Sequence, residues 1–121
     1  MTVIYESIIT EIGEDVELIS QDNMVIIFND SVPDELKSIA VIHEHNSVLG
    51  EVEAGDFLYI NGEKYQILHV GEKVNQTLKE LGHCTIKFSE LDDSALPGTM
   101  FVEQKPIPKF TENMTLKFAK Q

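Results

Sequence analysis

The chain has 121 residues, 42% of them hydrophobic, and sets 21 acidic side chains against nine basic ones for a formal net charge of −12. All nine bases are lysines; without a basic stripe or a bidentate arginine, nucleic-acid binding is disfavoured, as is insertion into or adsorption on an anionic membrane. A chain of this length buries roughly two-thirds of its unfolded surface, enough for one core, so residues 1–121 are read as one domain.

In chain order, "TVIYESIITEIG" opens as a near-alternating strand with Val3, Tyr5 and Ile9 at odd positions, and Gly13 closes it. "MVIIFN" at 24–29 is a compact apolar strand. "DSVPDELK" offers Ser31 as a helix cap with Pro33 and Asp34 in the first turn, for about two turns of helix. "SIAVIHEH" then reads as β. In "FLYINGEKYQILHVG" the pair Asn61-Gly62 tolerates the positive φ angles of a tight hairpin, between two apolar-aromatic strands bracketed by Gly55 and Gly71. Val74, Leu78 and Leu81 share one helical face, and Gly82 supplies the stop. "HCTIKF" at 83–88 alternates again, "LPGT" at 96–99 is a turn, and "MFVEQ" and "MTLKF" are two late strands. Many short strands and two brief helices predict a mainly β fold, a compact barrel or barrel-like sandwich.

Cys84 is the single cysteine, which forbids an intrachain disulfide. No apolar run approaches the ~18 residues of a membrane span, and no signal-peptide pattern opens the chain. A cytoplasmic setting is expected. Glycine-rich phosphate loops, a serine elbow and HExxH are absent from the sequence, so no cofactor is expected.

The chemistry-bearing stretch is "AVIHEHNSVLG" at 40–50. On a strand, His43 and His45 point the same way, with Cβ atoms about 6.5–7 Å apart, and Glu44 points away. Such a pair can hold a metal, can keep one neutral imidazole as a nucleophile beside a hydrogen-bonding neighbour, or can be a polar strand face. His83 lies at a helix–strand junction, which can aim it into a cleft or place it at the negative end of the helix. His69 reads as a wet strand end, and Cys84, on the apolar face of Ile86 and Phe88, as a buried structural thiol.

"MTVIY", "IHEH" at 42–45, the Gly71 region, "LKELGHCTIKF" at 78–88 and "LPGT" occur in one order from end to end. In these features the chain resembles the glucitol/sorbitol-specific IIA component of the bacterial phosphoenolpyruvate-dependent sugar phosphotransferase system. The resemblance implies a phosphotransferase component with a transient phosphohistidine. Its phosphoryl donor is the histidine phosphocarrier HPr, and its acceptor is a cysteine of the membrane-linked IIB/IIC permease. The first histidine of the family's His-x-His stretch falls on His43, the implied acceptor. The second falls on His45, and the Gly-His-x-Thr segment on Gly82, His83 and Thr85; His45 and His83 are assigned supporting roles on chemical grounds. The alternative is a cupin-like metal-binding β-barrel using His43 and His45. There the next glutamate, Glu51, stands too far along, and no histidine follows "LPGT". No metal is expected on the relay reading.

Overall fold

The computed structural model describes residues 2–121. Eight strands form a closed barrel: β1 (Val3–Ile12), β2 (Met24–Asn29), β3 (Ala40–His43), β4 (Phe57–Ile60), β5 (Glu63–Val70), β6 (Cys84–Phe88), β7 (Thr99–Val102) and β8 (Thr115–Ala119). Around the barrel they run β1-β3-β2-β6-β7-β5-β4-β8, with β8 closing on β1. Closure leaves no free sheet edge. Six of the eight ladders are antiparallel; β2/β3 and β6/β7 are parallel. Two short helices, α1 (Val16–Ser20) and α2 (Val74–Leu81), sit in the connections. The expected mainly β barrel is the observed fold.

The alternation read from the sequence is what fills the interior. Tyr5, Ser7 and Ile9 on β1, Tyr65 and Ile67 on β5, and Cys84, Ile86 and Phe88 on β6 are all buried. Tyr65 meets the ring of Phe88 edge-on at 5.0 Å and donates its hydroxyl proton to the Pro106 carbonyl at 2.8 Å. Its phenol therefore lies in the core without an unpaired polar atom. Asn61 (φ 48°) and Gly62 (φ 89°) make the β4–β5 turn, both in the left-handed region that the hairpin requires.

Three expectations need correction. Residues Asp34–Ile39 form a 3-10 helix, and Ser31 does not cap it: Ser31 N–H and Oγ–H both go to Asn29 Oδ1, at 2.9 and 2.6 Å. An Asx-type turn after β2 competes successfully with the cap. The five-residue α1 was not expected, because it is too short to show a helical period. Finally, β3 ends at His43 and does not run through His45. All four residues of β3 are buried: Val41 belongs to the main core, and Ala40 and Ile42 to a second apolar cluster with Phe28, Val32 and Leu36.

Candidate functional site

Strand register explains why the histidines meet at one end of the barrel. In the parallel β2/β3 ladder Asn29 is paired with His43. In the antiparallel β2/β6 ladder Ile27 is paired with Cys84. Carried two residues further, that register sets Phe28 opposite His83 and Asn29 opposite Gly82. The contacts agree: the Phe28 and His83 rings lie 4.5 Å apart with 32° between planes, and Gly82 packs on Asn29 Cβ and the His43 ring. Gly82 ends α2 in the left-handed conformation (φ 58°), which is how the chain turns from helix to strand beside that ring.

His43 has no exposed surface. Its Nε2 is 2.8 Å from the Gly82 carbonyl oxygen. Its Nδ1 is 3.0 Å from the Tyr5 hydroxyl and 3.1 Å from the Glu44 carbonyl oxygen. A carbonyl accepts and never donates, so the short Nε2 contact places a proton on Nε2. In the neutral ring the Nδ1 lone pair then accepts from Tyr5 Oη when that hydroxyl is turned away from the Glu44 carbonyl, which lies 3.0 Å from the same oxygen. Burial lowers the pKa of His43 below its ordinary 6.5, against weaker raising effects from the Gly82 and Glu44 carbonyls. The ring is therefore a neutral, oriented imidazole at neutral pH.

His45 is exposed and lies beyond the strand. Asn29 connects it to His43: with Oδ1 committed to Ser31, its amide Nδ2–H donates to His45 Nδ1 at 3.1 Å. His45 and His43 thus differ in burial and do not present a common strand face. His83 is half-buried; its Nδ1–H donates to the Ile27 carbonyl at 3.0 Å, leaving the lone pair of its neutral form on Nε2. Thr77 fixes the His83 backbone by accepting from His83 N–H through its carbonyl at 3.2 Å and donating from Oγ1 to the His83 carbonyl at 2.6 Å.

His69 stands apart, half-buried and edge-on to Phe101 at 6.0 Å. Cys84 is fully buried, and burial pushes its thiol up to about 12, which fits a structural residue. Among the described residues no group of three or more His, Cys, Asp and Glu side chains could hold a metal ion. His43 and His45 point their Nδ1 atoms at Tyr5 and Asn29, not at a common centre. Tyr5 was missed as a site residue, because its odd-position place in β1 reads as core; only the pairing of β1 with β3 brings it to His43.

A shallow cleft of about 330 Å³ runs along Glu6, Ser7, Ile8, Glu44 and Asn46 beside the cluster. Clefts of about 370 and 650 Å³ lie elsewhere, against α1 and against α2.

The sequence profile of the family described as PTS system glucitol/sorbitol-specific IIA component matches residues 4–117. The chain belongs to that family. It is 34% identical over 108 residues to the glucitol/sorbitol-specific EIIA components of Shigella flexneri and of Escherichia coli K12, spanning 89% of this chain and 87% of each relative. The crystal structure of the PTS system IIA component from Enterococcus faecalis V583 superposes with a TM-score of 0.87 at 26% identity, over 95% of this chain and 99% of that one. This IIA component is therefore a part of the phosphotransferase system. No described helix is long and apolar enough to cross a membrane.

Proposed function

We propose that this chain, as a single IIA domain over residues 1–121, is a phosphoryl carrier that takes a phosphoryl group from phospho-HPr on His43. It passes that group to the IIB component for uptake of glucitol/sorbitol, and it does so in the cytoplasm. The observation that carries the reading is the His43 ring itself: neutral through burial, oriented on both nitrogens, and situated in a member of the glucitol/sorbitol IIA family. A neutral imidazole attacks phosphorus without needing a separate base to remove a proton first.

Nδ1 is enclosed by Tyr5 and Glu44, whereas Nε2 is covered by Gly82 at the end of α2. We assign Nε2 as the acceptor, uncovered when a docking partner draws the Gly82 turn aside, with the neutral ring then in its other form, its proton on Nδ1. In the first step the P–N bond to the HPr histidine breaks as the P–N bond to His43 forms. In the second, that bond breaks as a P–S bond to the IIB cysteine forms. Each transfer is chiefly a matter of in-line positioning and of donors around the equatorial oxygens. With no arginine in the chain, those donors are backbone N–H groups, His45 and His83, or groups of the partner.

The test is incubation with phosphoenolpyruvate, enzyme I and HPr, followed by intact-mass analysis. The parent should gain one phosphoryl group in an acid-labile, base-stable linkage. His43→Ala and the less disruptive His43→Gln should gain none, and His45→Ala and His83→Ala should gain it more slowly. Full incorporation in both His43 variants with none in His83→Ala would move the acceptor to His83.

A further inference from the structure

The polar partners of the His43 ring are not alike. Glu44 and Gly82 offer carbonyl oxygens, which only accept. Tyr5 offers a hydroxyl, which can donate or accept, and it lies 3.0 Å from Nδ1 and 3.0 Å from the Glu44 carbonyl oxygen. A neutral imidazole has one nitrogen without a proton, and that nitrogen needs a donor when water is excluded. Tyr5 Oη is the one donor against the ring among the described residues.

We propose that Tyr5 is a positioning residue of the relay, its hydroxyl turning to follow the proton of the His43 ring. While Tyr5 donates to Nδ1, the ring holds its proton on Nε2 and is bonded to Gly82. When the Gly82 turn is drawn aside, Nε2 releases its proton to solvent as the ring takes one up at Nδ1. Tyr5 then turns to donate to the Glu44 carbonyl, its oxygen accepts from Nδ1–H, and Nε2 carries the lone pair that attacks phosphorus. The proton stays on Nδ1 throughout the transfer, so only the P–N bonds change. The resting form leaves no polar atom of the ring without a partner. In the other form Nδ1–H is bonded to Tyr5 and the bare Nε2 faces the Gly82 carbonyl until that turn is drawn aside, so no backbone shift at Nδ1 is needed to pass between them.

Burial suits Tyr5 to this task. It is 1% exposed, meets the His43 ring edge-on at 5.6 Å, and its phenol is pushed above its ordinary value, mainly by desolvation. It remains a hydroxyl over the working range. Ser7 Oγ–H also donates to the Glu44 carbonyl, at 2.7 Å, but does not reach the ring. The charged and titratable groups around His43 are Asp30 after β2, which favours the imidazolium, and His45, which opposes it. Glu44 directs only its carbonyl at the ring, and His83 is separated from it by Gly82.

The inference rests on His43 being the acceptor, but its test separates the two claims. Removing the hydroxyl leaves a neutral ring with a lone pair facing a carbonyl whichever nitrogen is bare, while the imidazolium keeps both carbonyls as acceptors. In Tyr5→Phe the His43 titration, followed by ring ¹⁵N NMR, should therefore move upward by about one pH unit. Phosphoryl acceptance should fall by up to about ten-fold below the titration midpoint, by no more than about three-fold near pH 7, and recover at higher pH, since one unit of pKa is a factor of ten in the neutral fraction only where the imidazolium predominates. Ser7→Ala, which disturbs the same carbonyl but not the ring, should leave the titration where it is.

An unmoved titration in Tyr5→Phe, or a loss of acceptance by the same factor at every pH, would overturn the proposal. The unaltered protein gives an independent reading: its neutral His43 should carry the proton on Nε2, and a resting Nδ1–H form would also overturn it, even if Tyr5→Phe failed to fold. Should the unaltered protein accept no phosphoryl group at all, the relay reading falls, while the NMR arm still decides whether Tyr5 holds the ring.

Discussion

Gly82 packs against the Cε1 and Nε2 atoms of the His43 ring: a Cβ placed on Gly82 would stand 2.6 Å from Cε1 and 3.0 Å from Nε2 of that ring, and 2.9 Å from Asn29 Cβ. The same glycine has φ +58° and accepts the Nε2 proton through its carbonyl. Gly82→Ala therefore meets two costs together. The left-handed conformation costs an L-residue about 1–2 kcal/mol and crowding a packed site about 1–3 more, so chemical denaturation should show a loss of about 3 kcal/mol. Because the ring has no free space to yield into, phosphoryl acceptance should fall as well. A loss under about 1 kcal/mol with normal acceptance would mean the turn already moves freely away from His43.

The buried, neutral His43 makes a pH prediction with a definite sign. Its folded pKa lies below the 6.5 of the exposed group, so between those two values the unfolded chain binds more protons. Stability from this residue is complete above 6.5 and is lost as pH falls through the folded value. Urea midpoints should drop on acidification below about 6.5, and His43→Gln should remove that part of the slope. Parallel midpoint-against-pH curves for parent and variant would place the titrating group elsewhere.

The barrel was legible where burial alternates along single strands. The alternation of Cys84, Ile86 and Phe88, the Asn61-Gly62 turn and the glycine after Leu81 each report one local geometry, and each appears as read. The site was legible only in part, because its parts are distant in sequence. Tyr5 and His43 are 38 residues apart, and His43 and Gly82 are 39 apart. What joins them is the order β1-β3-β2-β6, a non-local pairing that no window of sequence contains. The His-x-His spacing suggested a shared strand face, but β3 stops at the first histidine, so one ring is buried and the other exposed. That boundary falls where β2 ends at Asn29, although β1 runs on past Ile9.

Far from the histidines, Asp56 ties the end of the chain to the barrel. It is 4% exposed; its carboxylate accepts from Glu53 N–H at 2.8 Å, Gln121 N–H at 3.1 Å and Lys120 Nζ at 3.2 Å. Burial pushes its carboxyl up, but the two backbone donors and the lysine outweigh it and leave the pKa below its ordinary 3.8. Asp56→Asn turns an amide NH₂ toward donors and should cost about 2–3 kcal/mol, the range for hydrogen bonds to a buried charge. The contribution is present above 3.8 and lost as pH falls through the folded value, so the variant and parent should converge in strong acid. A difference unchanged down to low pH would assign the cost to packing.

The surface around the site is acidic, with Asp30, Glu44 and Glu6 exposed near the histidine cluster. On the proposed function this surface meets a carrier whose own histidine is set in a basic or apolar rim, and charge of this kind acts on the encounter rate more than on the bound complex. Screening shortens its reach to about 10 Å at 0.1 M salt. The rate of phosphoryl transfer from HPr should therefore fall several-fold, roughly three- to ten-fold, between low and near-physiological ionic strength. Glu44→Lys, at the rim, should slow transfer at low salt and flatten that dependence. Glu17→Lys, on α1 near the opposite end of β2, changes the net charge equally and should do neither. Equal effects from the two reversals would mean that overall charge, and not the rim beside His43, governs the encounter; no salt dependence in the parent would reduce its acidity to a matter of solubility.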